Sequence, residues 1–221
     1  GLIDLQGTSR LTNGGWQILN WTNNLADLNI ASGATFDVWD GLSVRIDALT
    51  GSGTVDKLHG GNSPVALTIG VDNGSGTFSG TIKNTGGQIA LWKAGSGTQT
   101  LSGSNSYTGN TTVSEGGLSI APAGSLRFRP TTNGQTNTLS GTENATLSYL
   151  GTVDLDLSAA NATDGNAWPL VNVGSFSGPI PTLEPTAVSS TLGAFSEISP
   201  GVWELDTAMG KWSFFESLHH S

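Results

Sequence analysis

From about residue 25 the chain falls into pieces of three to five residues in which apolar and polar side chains alternate, each closed by Gly, Asn, Ser or Asp. Leu28 and Ile30, then Phe36 and Val38, then Leu42, Val44 and Ile46 share one parity. Asp27, Asn29, Asp37, Trp39, Ser43, Arg45 and Asp47 take the other. A period of two marks half-buried strands. It continues through Thr54-Val55, Leu67-Thr68-Ile69, Thr77-Phe78, Thr81-Ile82, Ile89 and Leu91, Thr98 to Leu101, Thr111 to Val113 and Leu118 to Ile120. No helical period competes with it before residue 121, so the pattern predicts an all-β chain.

Many short strands fit either an antiparallel sandwich or barrel, or a solenoid that coils strand by strand. The separators favour the solenoid. Asn13-Gly14, Asn73-Gly74 and Asn133-Gly134 could close hairpins, but most links are Gly-Ser-Gly, Gly-Gly or Ser-Gly-Ala, permissive corners for a coil that turns repeatedly. Gly-Ser-Gly-Thr recurs at residues 51–54, 74–77 and 95–98, intervals of about 21 to 23 residues, a solenoid-like period. Beyond about residue 121 the character changes. Every proline except Pro64 lies there, and strand signals lengthen, as in Thr152 to Leu157 and Leu170 to Val173. Because proline is pushed to edges and corners, residues 126–217 are expected to form a less regular β segment, continuous with rungs over 1–125 and covering one end.

Residues 93–120 read Lys-Ala-Gly-Ser-Gly-Thr-Gln-Thr-Leu-Ser-Gly-Ser-Asn-Ser-Tyr-Thr-Gly-Asn-Thr-Thr-Val-Ser-Glu-Gly-Gly-Leu-Ser-Ile. This resembles the autotransporter-associated β-strand repeat, with Gln99 where an apolar residue is usual and Gly117 where Thr is common. The flanking stretch from Leu28 to Ile82 is similar to rungs beside that repeat, so the resemblance spans about residues 25–125. It implies a right-handed parallel β-helix, exported and displayed at a bacterial cell surface, with the other domains of the same surface protein as its partners. In such a coil Leu101, Val113, Leu118 and Ile120 would fill the interior, Asn105 would form a ladder or hold a corner, and Tyr107 would cover a turn.

Composition narrows the function. Lys and Arg total 8 against 17 Asp and Glu, a net charge of −9, which argues against binding a phosphate backbone and hence nucleic acid. No apolar run approaches the roughly 18 residues that span a bilayer, so membrane insertion is not expected of this sequence. With no cysteine, thiol catalysis, disulfides and zinc-cysteine sites are excluded. Gly1 reads as a cleavage scar and residues 218–221 as an expression-tag remnant, leaving His59 as the native histidine.

Candidate chemistry is sparse. Asp154 and Asp156 lie two apart on one strand face and could pair or bind calcium, but they read more simply as the solvent side of a strand whose inside is Val153, Leu155 and Leu157. Asp27, Asp37 and Asp47, with Arg45, read as an acidic solubilising face. Asp72-Asn73-Gly74 lacks the ligand spacing of a calcium loop and reads as a turn. His59 has no Ser or Cys partner and reads as a loop histidine. No catalytic residue, metal or cofactor is expected. Trp39 and Trp92 fall on the polar parity and are the candidate ligand-binding residues, since sugar rings stack on indole faces; the competing reading has loops cover them. Trp16, Trp21, Trp168, Trp203 and Trp212 are expected to plug the two ends. The function expected is a non-catalytic extracellular module, a stalk or adhesin. The alternatives are a carbohydrate-binding module engaging host or environmental glycans through Trp39 or Trp92, and a polysaccharide-degrading β-helix, which eight basic residues furnish poorly.

Overall fold

The computed structural model describes residues 1–13, 21–39, 43–59, 64–142, 144–172, 182–208 and 210–215. Within them the chain is all-β and coils as a parallel solenoid with three faces. The first rung holds β1 (Leu2–Leu5) and β2 (Arg10–Thr12). The next holds β3 (Asp27–Ile30), β4 (Thr35–Asp37) and β5 (Ser43–Ile46), followed by β6 (Leu49–Gly51), β7 (Thr54–Asp56) and β8 (Val65–Ile69), then β9 (Gly76–Phe78), β10 (Thr81–Lys83) and β11 (Ile89–Lys93). The repeat supplies β12 (Thr98–Leu101), β13 (Ser104–Asn105) and β14 (Thr111–Val113). Two further rungs are β15 (Gly116–Ile120), β16 (Ser125–Phe128) and β17 (Leu139–Gly141), and β18 (Ala145–Tyr149), β19 (Thr152–Leu155) and β20 (Val171–Asn172). β21 (Thr182–Leu183) and β22 (Ala187–Ser190) end the coil.

Strands stack face by face. Face 1 is the eight-stranded ladder β1-β3-β6-β9-β12-β15-β18-β21, and face 3 is the six-stranded ladder from β5 to β20. Face 2 is split into β2-β4-β7-β10 and a second ladder that begins at β13 and runs through β16, β19 and β22. The chain then reverses in β23 (Gly193–Ala194) and forms an antiparallel sheet of β24 (Ser196–Ser199), β25 (Val202–Thr207) and β26 (Gly210–Phe215).

The expected parity is realised. Leu28, Ile30, Phe36, Val38, Val44 and Ile46 are buried in one continuous core, and in-register pairing stacks like on like, as in Phe36, Val55 and Ile82 on face 2. Trp21 packs on Phe36 near the first rungs, while Trp168, Trp203 and Trp212 gather at the other end; Trp16 lies outside the described residues. The parallel ladder does not stop near residue 125 but runs to Ser190. The compositional shift instead marks connections, two of them long, which hold Pro130 and Pro169, and a short one that holds Pro185, where no ladder donor is needed.

Corners set the tightest constraint. Gly53, Gly80 and Gly103 stack between faces 1 and 2, and a Cβ on Gly103 would overlap the backbone carbonyl of Gly80, as one on Gly80 would that of Gly53. Neither obstacle is a side chain that can swing away. Gly103→Ala should therefore lower the unfolding free energy by about 2 kcal/mol or more in urea titration; an unchanged midpoint would refute the corner argument.

Both tyrosines of the chain, Tyr107 and Tyr149, are buried in the core. Burial pushes both phenols far above their ordinary value, and the bonds to Thr111 and to backbone offset it only partly. A pKa raised in the folded state means stability that is complete below the unfolded tyrosine value near about 10 and is lost as pH rises above it. Tyrosinate absorbance should thus stay absent through pH 10 and appear only together with loss of the β-sheet circular dichroism signal; titration of either tyrosine in the folded chain would contradict this burial.

Candidate functional site

The residues that mark the repeat act inward. Asn105 occupies a core column between Ile82 and Leu126, where the backbone ladder of face 2 breaks. Its Oδ1 accepts from the Ile82 N–H at 3.1 Å, and its Nδ2 donates to the carbonyls of Gly103 (2.9 Å) and Ser125 (3.2 Å). The side-chain amide therefore bridges the break. Tyr107, expected to cover a turn, is instead fully buried, its hydroxyl 2.6 Å from that of Thr111. Lys93 continues the inward parity of Ile89 and Leu91, yet its ammonium reaches the corner carbonyls of Ala94 (2.5 Å), Gly95 (2.8 Å) and Glu115 (3.4 Å). Burial pushes its pKa down, and the carboxylates of Glu115 and Asp47 push back.

Gln99, the departure from the repeat's apolar pattern, has its own task. β6 and β9 pair only at Gly51 and Phe78, so Leu49, which pairs with Leu28 on its other side, has no strand partner on the β9 side. Gln99 lies beside Gly76 in register and reaches past it, accepting from the Leu49 N–H at 3.2 Å and donating to the Leu49 carbonyl at 2.9 Å. A Cβ on Gly76 would crowd that amide.

The acidic residues do not form a shared exposed face. Asp27 lies on face 1, Asp37 at the end of face 2 and Asp47 after face 3. Asp37 and Asp47 are buried, because each carboxylate accepts corner N–H groups. Asp47 holds the N–H groups of Asp72 (2.8 Å) and Gly74 (2.7 Å), which makes residues 72–74 the expected turn. Asp37 accepts from Trp39 and Leu58 N–H and pairs with Arg10, with His59 Nδ1 at 3.7 Å. Asp154 and Asp156 face outward, paired with Arg127 (2.7 Å) and Arg129 (2.9 Å) of the preceding rung. Burial pushes Asp156 up, but two bonds from Ser158 and the two arginines outweigh it and hold its carboxyl below the usual range.

The two candidate tryptophans do not come together. Trp39 sits at the corner between faces 2 and 3 with a positive φ of 44°, a costly conformation for a bulky residue. Asp37 takes its N–H, Lys57 donates to its carbonyl, and His59 stacks on its ring at 3.9 Å. Trp92 stands in the middle of face 3 and is 47% exposed. Its column contains Arg45, which sequence reasoning assigned to an acidic surface. At the far end a cavity of about 830 Å³ is walled by Phe128, Tyr149, Trp168, Trp212 and Phe214; among its described lining residues only Asp164 and Lys211 are charged. Among the described residues no cluster of three or more His, Asp or Glu could hold a metal, and no helix is long and apolar enough to cross a membrane.

Two substitutions separate packing from hydrogen bonding in the repeat rung. Gln99→Leu restores an apolar residue but strands both backbone groups of Leu49, so it should destabilise by about 1–3 kcal/mol rather than stabilise. Asn105→Ala should cost about 2 kcal/mol or more. Urea unfolding measures both, and a more stable Gln99→Leu would show that the amide bridge contributes nothing.

Comparison with known proteins agrees with this geometry. Residues 91–120 match the passenger-associated-transport-repeat family. Over 100 residues, 42% of the chain, the sequence is 35% identical to the adhesin BmaC autotransporter of Brucella suis biovar 1 (strain 1330), and the match spans 3% of that relative's length. No solved structure matches the chain significantly. The rung whose core is tied by Asn105, Tyr107 and Lys93 is thus the one that matches the passenger-associated-transport-repeat model, and its likeness is to a segment of an autotransporter adhesin.

Proposed function

We propose that this chain is a non-catalytic structural module of a surface-displayed passenger, serving as stalk and adhesive segment. The observation that carries the reading is the stack of parallel rungs, in which the polar residues of the repeat are spent on holding one rung to the next. Its outward carboxylates support the same view, since Asp154 and Asp156 are engaged by arginines rather than converging on a cleft. The relative it resembles is named an adhesin, and long flat faces suit that role. The other domains of the same passenger are its natural neighbours, stacked or strung along the coil.

The test is made in cells that display the parent passenger. In-frame removal of residues 27–190 should reduce adhesion several-fold while an antibody to the remaining passenger still detects surface delivery. Full adhesion by the shortened protein would defeat the proposal. So would release of reducing ends or unsaturated sugars when the purified chain is incubated with polysaccharides.

A further inference from the structure

The outer surface of face 3 carries two side chains that the fold does not use. In-register pairing sets Arg45 beside Thr68, Thr68 beside Trp92, Trp92 beside Thr112 and Thr112 beside Ser140, one column along the solenoid axis. The neighbouring column is Ser43, Ala66 and Ala90. Trp92 therefore rises from a flat field of small side chains, and its indole packs no part of the core. A large aromatic left open among hydroxyls marks a binding surface rather than a folding need.

Arg45 is the second anomaly. Arg10, Arg127 and Arg129 each engage a carboxylate, whereas Arg45 makes no ion pair among the described residues and its Nε is buried without a hydrogen-bond partner. A half-buried guanidinium left so is under-compensated and favours an anion, most of all a planar carboxylate that meets its fork of donors. On a chain of net charge −9, such a cation is a local exception.

We propose that this column binds an extended acidic glycan, a chain of pyranoses bearing carboxylates, with one ring stacked on Trp92 and a carboxylate held by Arg45. The spacing fits. Arg45 and Trp92 stand two strand spacings apart, about 9–10 Å, and a pyranose in an extended chain advances by a length comparable to one such spacing. A sugar over Trp92 places its second neighbour at Arg45, with Thr68 between them to exchange hydrogen bonds with ring hydroxyls. Trp39 takes no part, since His59 covers its ring at the corner. This assignment rests on the adhesive reading and supplies its ligand class.

Isothermal titration calorimetry at low salt tests it, with oligogalacturonate as the acidic probe and its methyl ester as the neutral one. The native chain should bind the acid at least tenfold more tightly than the ester. Trp92→Ala should weaken both probes tenfold or more. Arg45→Gln should weaken the acid alone and erase the preference, while Arg127→Gln, which removes the same charge from face 2, should leave both within twofold. Unfolding midpoints confirm that each variant is folded. No binding by the native chain, binding indifferent to Trp92→Ala, or equal losses in Arg45→Gln and Arg127→Gln would overturn the assignment. Should cells still adhere when the purified chain ignores both probes, the display reading stands and this ligand assignment falls.

Discussion

Each rung of this protein is built on the backbone of the rung before it, so the spacing of parallel strands, about 4.8 Å, is imposed on everything placed at a corner or in a core column. The three faces share that spacing, and none can slip without the others. The consequence is sharpest where the chain turns. Gly53, Gly80 and Gly103 follow one another because the carbonyl of each occupies the space that a Cβ on the next would need. In the core columns the same constraint favours stacking of similar side chains, as with Phe36, Val55 and Ile82. Between corners the chain is free to lengthen. The connections from β16 to β17 and from β19 to β20 absorb prolines and extra residues while the strands they join stay in register.

Where the stacking of backbones fails, side chains take over the hydrogen bonding. The rung that matches the passenger repeat puts Gln99 inward on face 1, Asn105 on face 2 and Thr111 on face 3, all buried and all bonded. Asn105 and Gln99 each present an amide, which carries the same donor and acceptor pair as the backbone it replaces. Lys93 does the complementary work at a corner, where its ammonium donates to the carbonyls of Ala94, Gly95 and Glu115. Burying such groups is tolerable only because their bonds are made. The repeat is thus less a surface signature than an internal splice, holding together rungs whose ladders are discontinuous.

Much of this architecture was legible in the sequence because it depends on local order: alternation marked the strands and glycine the corners. Asp37 and Asp47 show where that logic stops. Their parity suggested solvent, but both lie at corners, and a corner turns a carboxylate back onto N–H groups of another rung. Those partners lie 21 and 25 positions away, beyond any strand-length pattern. Gln99 illustrates the same limit, since its partner Leu49 is 50 positions off and two rungs down. Tyr107 has the local setting of a turn residue, but the hydroxyl of Thr111 on the next face takes its own inside the core. Proline reports on connections as readily as on strands, and parallel pairing runs on past the point where prolines accumulate.

Trp39 and Trp92 carry the argument from packing to function. Both lie on the outward parity, yet one is covered and the other is open. Trp39 comes where β4 gives way to the corner, and the corner of the next rung brings His59 onto its ring. Trp92 is mid-strand, where the next rungs can offer only what stands in the same column, and that is Thr68 and Thr112. Exposure on a solenoid face is therefore decided by the neighbours one rung away. A single substitution in such a column alters the surface while leaving the inward residues and the corners untouched. The fold can hold its interior constant and vary its faces one column at a time, which is the property a displayed binding module requires.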